Sequence, residues 1–224
     1  MTTVVVVPVK DLDRAKSRMS PLLSADERRA LAIILLEGVL EAVTALTHDI
    51  RKVVVTNYAP AMKLAEAFGM EVLKESRQKS ESASVDHAGR VLEGEGVRAM
   101  LRVPLDLPLI EAAELAELIE LADNGLPALL VPSLDGTGTN AIYRAPPTLI
   151  PSRFGPGSLA LHENALRKAG LRYRVEEMAS LALDLDDAGD VAELMSRQRD
   201  CPATVYLNSL CIESRLSVIA KEGA

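Results

Sequence analysis

The sequence predicts an α/β protein of three layers, α/β/α, around a mostly parallel central sheet. Two observations predict it. Short β-branched runs such as Val4–Val7 and Val53–Val55 alternate with stretches of ten residues or more at helical spacing, the pattern of a sheet covered on both faces. The runs are also apolar throughout, as strands buried on both faces are. At 224 residues, 48% hydrophobic and 25% charged, the chain can bury about 70% of its unfolded surface without a staple. Only 3% is aromatic, so Val, Leu, Ile and Ala must build the core.

The β-branched run Val4–Val9, broken only by Pro8, reads as a buried parallel strand that ends at Pro8, and Lys10–Pro21 is a polar loop. Ser24 and Glu27 form a capping box, and the helix behind them carries Ile33, Leu36, Leu40 and Val43. Val53–Val55 is a second strand. Ala59–Phe68 is a helix stopped at Gly69, followed by a short strand, Met70–Leu73. Polar residues 75–84 read as a surface loop before a helix over Val85–Leu92. Val97–Val103 is a strand that exits through Leu105–Leu109. A helix follows from Glu111 to Ala122, then strands at Leu126–Val131 and Thr139–Tyr143. Arg153–Ser158 opens a helix over Leu159–Ala169. Leu171–Val175 and Leu181–Leu183 read as short strands, and Asp187–Gln198 as a helix. The pattern breaks after that. The chain therefore divides into a main domain, residues 1–200, and a C-terminal strand and tail, residues 201–224. In the tail, Val205–Leu207 reads as an edge strand able to pair with a second subunit in a homodimer.

The net charge is −7. That argues against general nucleic-acid binding, which calls for a basic face, but leaves room for a small anion in a local cationic pocket. Cys201 and Cys211 form no CxxC pair or Cys/His cluster, so they read as free thiols in a reducing cytosol. The apolar run at the N-terminus is too short for a signal peptide, and no stretch approaches about 18 apolar residues. The expectation is a soluble cytoplasmic protein with no membrane partner.

The informative polar residues follow strands, where ligands sit in such sheets. Lys10, Arg14, Lys16 and Arg18 crowd the first loop. They suit a polyphosphate, or they are a solvated surface. Asp106 lies among apolar residues at the end of a strand, either facing a metal and a phosphate or capping the next helix. Asp184 and Asp186 point to one face of an extended segment, as metal ligand and cap or merely as a helix start. Gly136–Asn140 is an anion cradle or a hairpin turn. Phe154–Ser158 is an anion seat at a helix start or an ordinary cap. His48, His87 and His162 share no ligand spacing, and no P-loop, GxGxxG or GxSxG motif is present.

Together these segments resemble a known family. PVKDLDRAKSRMSPLLSADERR near the N-terminus, DLPLI at 106–110, GTGTNAIY at 136–143, RFGPGS at 153–158 and LDLDD at 183–187 are similar to motifs of the 2-phospho-L-lactate guanylyltransferases. The family includes relatives that use phosphoenolpyruvate or 3-phosphoglycerate. The similarity spans about residues 4–197 and keeps the family's motif order. It implies a nucleotidyltransferase fold and GTP-dependent guanylylation of a three-carbon phospho-acid in coenzyme F-420 biosynthesis. It implies that Asp106 and Asp184 hold Mg²⁺, that Lys16 and Arg18 contact phosphates, and that Thr139, Gly155 and Ser158 seat the acid. Lys10 and Asp86 would join Lys16 and Arg18 around the nucleotide. Two departures stand out. Leu105 replaces a glycine common before the aspartate, and Val85-Asp86 replaces a Leu-Asn common at the start of the third helix.

On this reading Lys16, Arg18 and Asp106 carry the chemistry. The acceptor phosphate, mostly a dianion at pH 7 because its second pKa is about 6, needs no general base. Three rivals remain at this stage. One is a nucleotidyltransferase for a sugar phosphate or molybdopterin, another is a non-catalytic nucleotide-binding module of the same fold, and the third is a glycosyltransferase using Asp184 and Asp186.

Overall fold

The structure is a computed structural model that describes residues 3–47 and 50–222. His48 and the Arg14 side chain lie outside what it describes. Seven strands form one sheet: β1 (Thr3–Pro8), β2 (Arg51–Thr56), β3 (Glu71–Lys74), β4 (Ala99–Arg102), β5 (Ala128–Pro132), β6 (Thr139–Arg144) and β7 (Tyr173–Val175). Their order is β3-β2-β1-β4-β6-β5-β7. Strands β3, β2, β1 and β4 are mutually parallel. Strand β6 runs antiparallel to both β4 and β5, and β7 is parallel to β5. The fold is therefore the expected three-layer, mostly parallel one.

Nine helices complete the described chain: α1 (Ala25–Thr44), α2 (Ala59–Ala67), α3 (Glu81–Gly94), α4 (Ala112–Asp123), α5 (Ser158–Lys168), α6 (Ala179–Ala182), α7 (Ala188–Ser196), α8 (Pro202–Ser209) and α9 (Ile212–Glu222). Alternation along β1 explains the layers. Val5 and Val7 pack with residues of α1, α2 and α4 on one face. Val4 and Val6 pack with Val85, Ala88 and Leu92 of α3 on the other. Helix α5 extends that second layer through Leu166, against Leu130 and Ile142. The capping box of α1 forms as expected, with Ser24 Oγ accepting from the Glu27 amide and Glu27 Oε2 from the Ser24 amide.

Three sequence readings change. Leu181–Leu183 is no strand, because α6 runs to Ala182 there. Helix α3 begins at Glu81 inside the polar stretch, with Ser80 as its N-cap. Val85 and Asp86 therefore lie more than a turn inside it. Residues 201–222 are two helices, not an edge strand and tail. Ala203, Leu207 and Ile212 share a buried cluster with Leu31 and Leu35 of α1 and Val191 and Leu194 of α7. Arg215 closes the seam with a fork onto the Glu27 carboxylate, at 2.8 and 2.9 Å. Among the described residues no helix is long and apolar enough to cross a membrane.

Candidate active site

The carboxyl ends of β1 and β4, with the β5–β6 loop and the segment before α7, enclose a cavity of about 520 Å³. The loop after β1 holds Lys16, a non-glycine residue at φ +56°, with its side chain buried. Lys16 Nζ donates to Asp106 Oδ2 at 2.8 Å and to Asp186 Oδ1 at 3.1 Å. The two acidic loops are tied by backbone as well, since the Leu185 amide donates to the Asp106 carbonyl at 3.1 Å. Asp106 thus caps no helix; Glu111 holds that position before α4. Asp187 caps α7, accepting from the Gly189 and Asp190 amides, and Asp184 and Asp186 line the cavity beside it.

The charges are unevenly matched. Burial works against the Lys16 ammonium, but Asp106 and Asp186 outweigh it and hold its pKa above the ordinary lysine value. Burial likewise opposes the Asp106 carboxylate, and Lys16 outweighs it, so its pKa lies below the usual range. Among the described residues Asp184 has no cationic partner. Burial and then the charge of Asp106 push it up to about 6, and its Oδ1 accepts from Asn140 Nδ2 at 3.2 Å. Arg18 lines the mouth, with its guanidinium 3.9 Å from Asp186.

Thr139, Gly155 and Ser158 also line the cavity. The Thr139 amide donates to Ser158 Oγ at 2.8 Å. Gly155 and Gly157 sit at φ +122° and +69°, a turn that side-chain-bearing residues rarely adopt and that delivers Ser158 as the first residue of α5. The Gly136–Asn140 loop is a hairpin. Asp135 accepts from the Ser133 hydroxyl and from the Thr137 amide and hydroxyl, and these bonds pull it down to about 2. The loop's amides are thus partly spent internally rather than held out for an anion.

His162 is buried behind this wall. Its Nε2 accepts from the Arg153 amide at 2.9 Å, so the ring proton sits on Nδ1 and points at Thr139 Oγ1, 3.0 Å away. Burial, with Arg144 and Arg102 nearby, pushes its pKa down to about 4. Between pH 6.5 and 4 the unfolded chain therefore takes up a proton that the folded chain refuses. The His162 contribution to stability should be constant above about pH 6.5 and fall by up to about 3 kcal/mol as the pH drops towards 4, while Asp184, held up to about 6, works in the opposite direction over the same range. Urea unfolding of the unaltered protein and of His162→Gln at pH 7.5 and 4.5 isolates the His162 part, with the drop in pH expected to cost the unaltered protein about 2 to 3 kcal/mol more than the variant.

The profile of a family described as "Guanylyl transferase CofC like" matches residues 3–222. The chain belongs to this guanylyltransferase family. It is 38% identical over 195 residues to phosphoenolpyruvate guanylyltransferase of Rubrobacter xylanophilus, covering 87% of this chain and 94% of that one. It is 30% identical to 3-phospho-D-glycerate guanylyltransferase of Colwellia psychrerythraea, covering 94% and 99%. Its fold matches a crystal structure provisionally named a nucleotide-diphospho-sugar transferase, from Desulfovibrio desulfuricans G20, with a TM-score of 0.76, 14% identity and coverage of 97% and 98%. The guanylyltransferase is thus a nucleotidyltransferase with an α/β fold, which sets aside the glycosyltransferase and non-catalytic readings.

Within this guanylyltransferase the cavity gathers Arg18, Asp106, Thr139, Gly155, Ser158 and Asp184, with Lys16 bonded to its wall. Lys10 is exposed in the loop after β1 and outside the cavity lining. Asp86 is also outside it, with Oδ1 accepting from the Ser152 amide at 3.0 Å and facing Arg144 at 3.5 Å. Sequence reasoning missed Arg102 and Glu81, which both line the cavity, and had Asn140 only as a member of the Gly136–Asn140 loop. The signal for Arg102 was a charge inside an otherwise apolar strand, costly unless paired.

Proposed function

We propose that the protein transfers the guanylyl group of GTP to the phosphate of a three-carbon phospho-acid in coenzyme F-420 assembly in the cytoplasm. Candidate acceptors are phosphoenolpyruvate, 3-phosphoglycerate and 2-phospho-L-lactate. The observation that carries this is the meeting of Lys16, Asp106, Asp184 and Asp186 at a cavity that Thr139 and Ser158 also line. An acceptor phosphate oxygen attacks the α-phosphorus, the bond to the β-phosphate oxygen breaks, and pyrophosphate leaves. Because the acceptor is already a dianion, no side chain has to take a proton.

Positioning and charge relief are then what the chain supplies. Thr139, Ser158 and the Gly155 backbone orient the acid. Lys16 and Arg18 stabilise the departing pyrophosphate, and Lys10, exposed outside the cavity lining, takes no assigned contact. The carboxylate wall fits Mg²⁺. Asp106 and Asp184 offer oxygen ligands, and a cation would offset the burial and the Asp106 charge that push Asp184 up. An ion there would be held by one or two carboxylates and completed by substrate phosphates, the usual manner for Mg²⁺. Bound there, Mg²⁺ would screen the repulsion between the two meeting phosphates.

Pyrophosphate release with GTP, Mg²⁺ and each of the three acids tests the reading, with hexose phosphates as contrasting acceptors. Turnover is expected with at least one acid and with no hexose phosphate. Turnover confined to sugar phosphates would sink the proposal.

A further inference from the structure

Arg102 ends β4 as a buried guanidinium, 4% exposed, and its Nη1 donates to the Thr139 and Asn140 carbonyls at 3.2 and 2.8 Å. The Phe154 ring lies against it, 4.0 Å from Cζ to the ring centroid, and Phe154 is itself fixed by its amide on Ser82 Oγ at 3.0 Å. Arg102 thus touches residues on either side of the proposed acid seat: Thr139, and Phe154 next to Gly155. Its Nη2 is paired with Glu81, the first residue of α3, which also faces the cavity. Seven carboxylates and two arginines line this space. Of those two, Arg18 lies beside Asp186 and Arg102 beside Thr139, with the Arg102 charge also acting on Asp106.

A phospho-acid brings a carboxylate as well as a phosphate, and in a cavity this acidic that carboxylate is repelled everywhere except at a cation. We propose that Arg102 reads the acceptor's carboxylate and so selects phospho-acids over uncharged phosphomonoesters, with Glu81 serving as the counter-ion that gives way. A planar guanidinium held by two carbonyls and an aromatic face offers its remaining edge as a fork matched to a carboxylate. Exchanging Glu81 for the substrate keeps the buried charge paired in both states. This inference rests on the guanylyl-transfer reading, of which it specifies the acceptor.

The test uses the purified full chain. KM values for GTP and for the best of the three acids are measured beside the inhibition constant of ethyl phosphate, a monoester without a carboxylate. The unaltered protein should favour the acid over ethyl phosphate by about thirtyfold, and Arg102→Met should shrink that preference to about threefold while KM for GTP stays within about twofold. Arg102→Lys should fall between them. Glu81→Gln should tighten acid binding about threefold, a direction that a merely structural ion pair would not give. An unchanged preference in folded Arg102→Met or Arg102→Lys, or weaker acid binding in Glu81→Gln, overturns the inference. If Arg102→Met does not fold, the other two variants decide. No turnover of any acid by the unaltered protein overturns the transfer reading and this inference with it, whereas turnover with an Arg102-independent preference overturns this inference alone.

Discussion

Asp106→Asn is expected to cut guanylyl transfer about a thousandfold, with the variant still folding. The loss follows from geometry. Asp106 is the carboxylate that Lys16 grips most closely, at 2.8 Å, and it stands beside Asp184 at the centre of the acidic wall. An amide of the same shape keeps the contact but loses the charge that a divalent cation would need. Removing one member of a buried ion pair usually costs several kcal/mol, yet two features soften that here. Lys16 keeps Asp186 at 3.1 Å, and Asp184, pushed up to about 6 by burial and then by Asp106, loses its repulsive neighbour. Pyrophosphate release and a thermal melt on one preparation separate the two effects. Near-normal turnover would show that the metal assignment is wrong, and a collapsed melt would show that Asp106 is structural.

Why the acidic wall was legible in the sequence and Arg102 was not comes down to cost. Asp106 among Leu and Pro, and Asp184 with Asp186 after an apolar run, are charges at positions a core does not tolerate without a partner. Their meeting is long-range, across 78 residues of chain, yet the strand-end rule of parallel sheets brings both to one edge. Arg102 obeyed the same cost rule but sits within the strand, and its partners, Phe154, Glu81 and two carbonyls, come from segments that only the folded sheet brings together. The tautomer of His162 was out of reach for a similar reason, because it is set by the Arg153 amide across a turn. Asp86, placed near the nucleotide by resemblance, is drawn instead towards Arg144 inside the second layer. No spacing in the sequence shows that pull.

For the fold, the β-branched runs of β1 and β2 and the capping box of α1 were each decided by local chemistry, and they stand where the sequence puts them. The antiparallel insertion of β6 between β4 and β5 was not, since strand order is settled by which apolar faces find each other rather than by any one segment. The C-terminal segment misled for a different reason. Val205-Tyr206-Leu207 has strand-like composition, and only packing against α1 and α7 favours a helix there.

Leu207→Ala is expected to lower stability by about 3 kcal/mol and the melting temperature by roughly 9 °C, while Val205→Ala changes stability by less than about 0.5 kcal/mol. The contrast is the signature of α8. In an edge strand, residues 205 and 207 would share a face and respond alike. On a helix two positions lie on nearly opposite sides, and here Leu207 is 0% exposed among Leu31, Leu35, Val191 and Leu194, while Val205 is 64% exposed. Because Leu207 packs against α1, whose first turn Arg215 also clamps through Glu27, its truncation should loosen the base of the loop that carries Lys16. Met19, Leu22 and Leu23 at the end of that loop lie in the same cluster. Denaturant titrations of both variants, run beside pyrophosphate release, separate the outcomes. Equal losses at 205 and 207 would restore the strand, and a large loss at 207 alone places residues 201–222 inside the fold that holds the site.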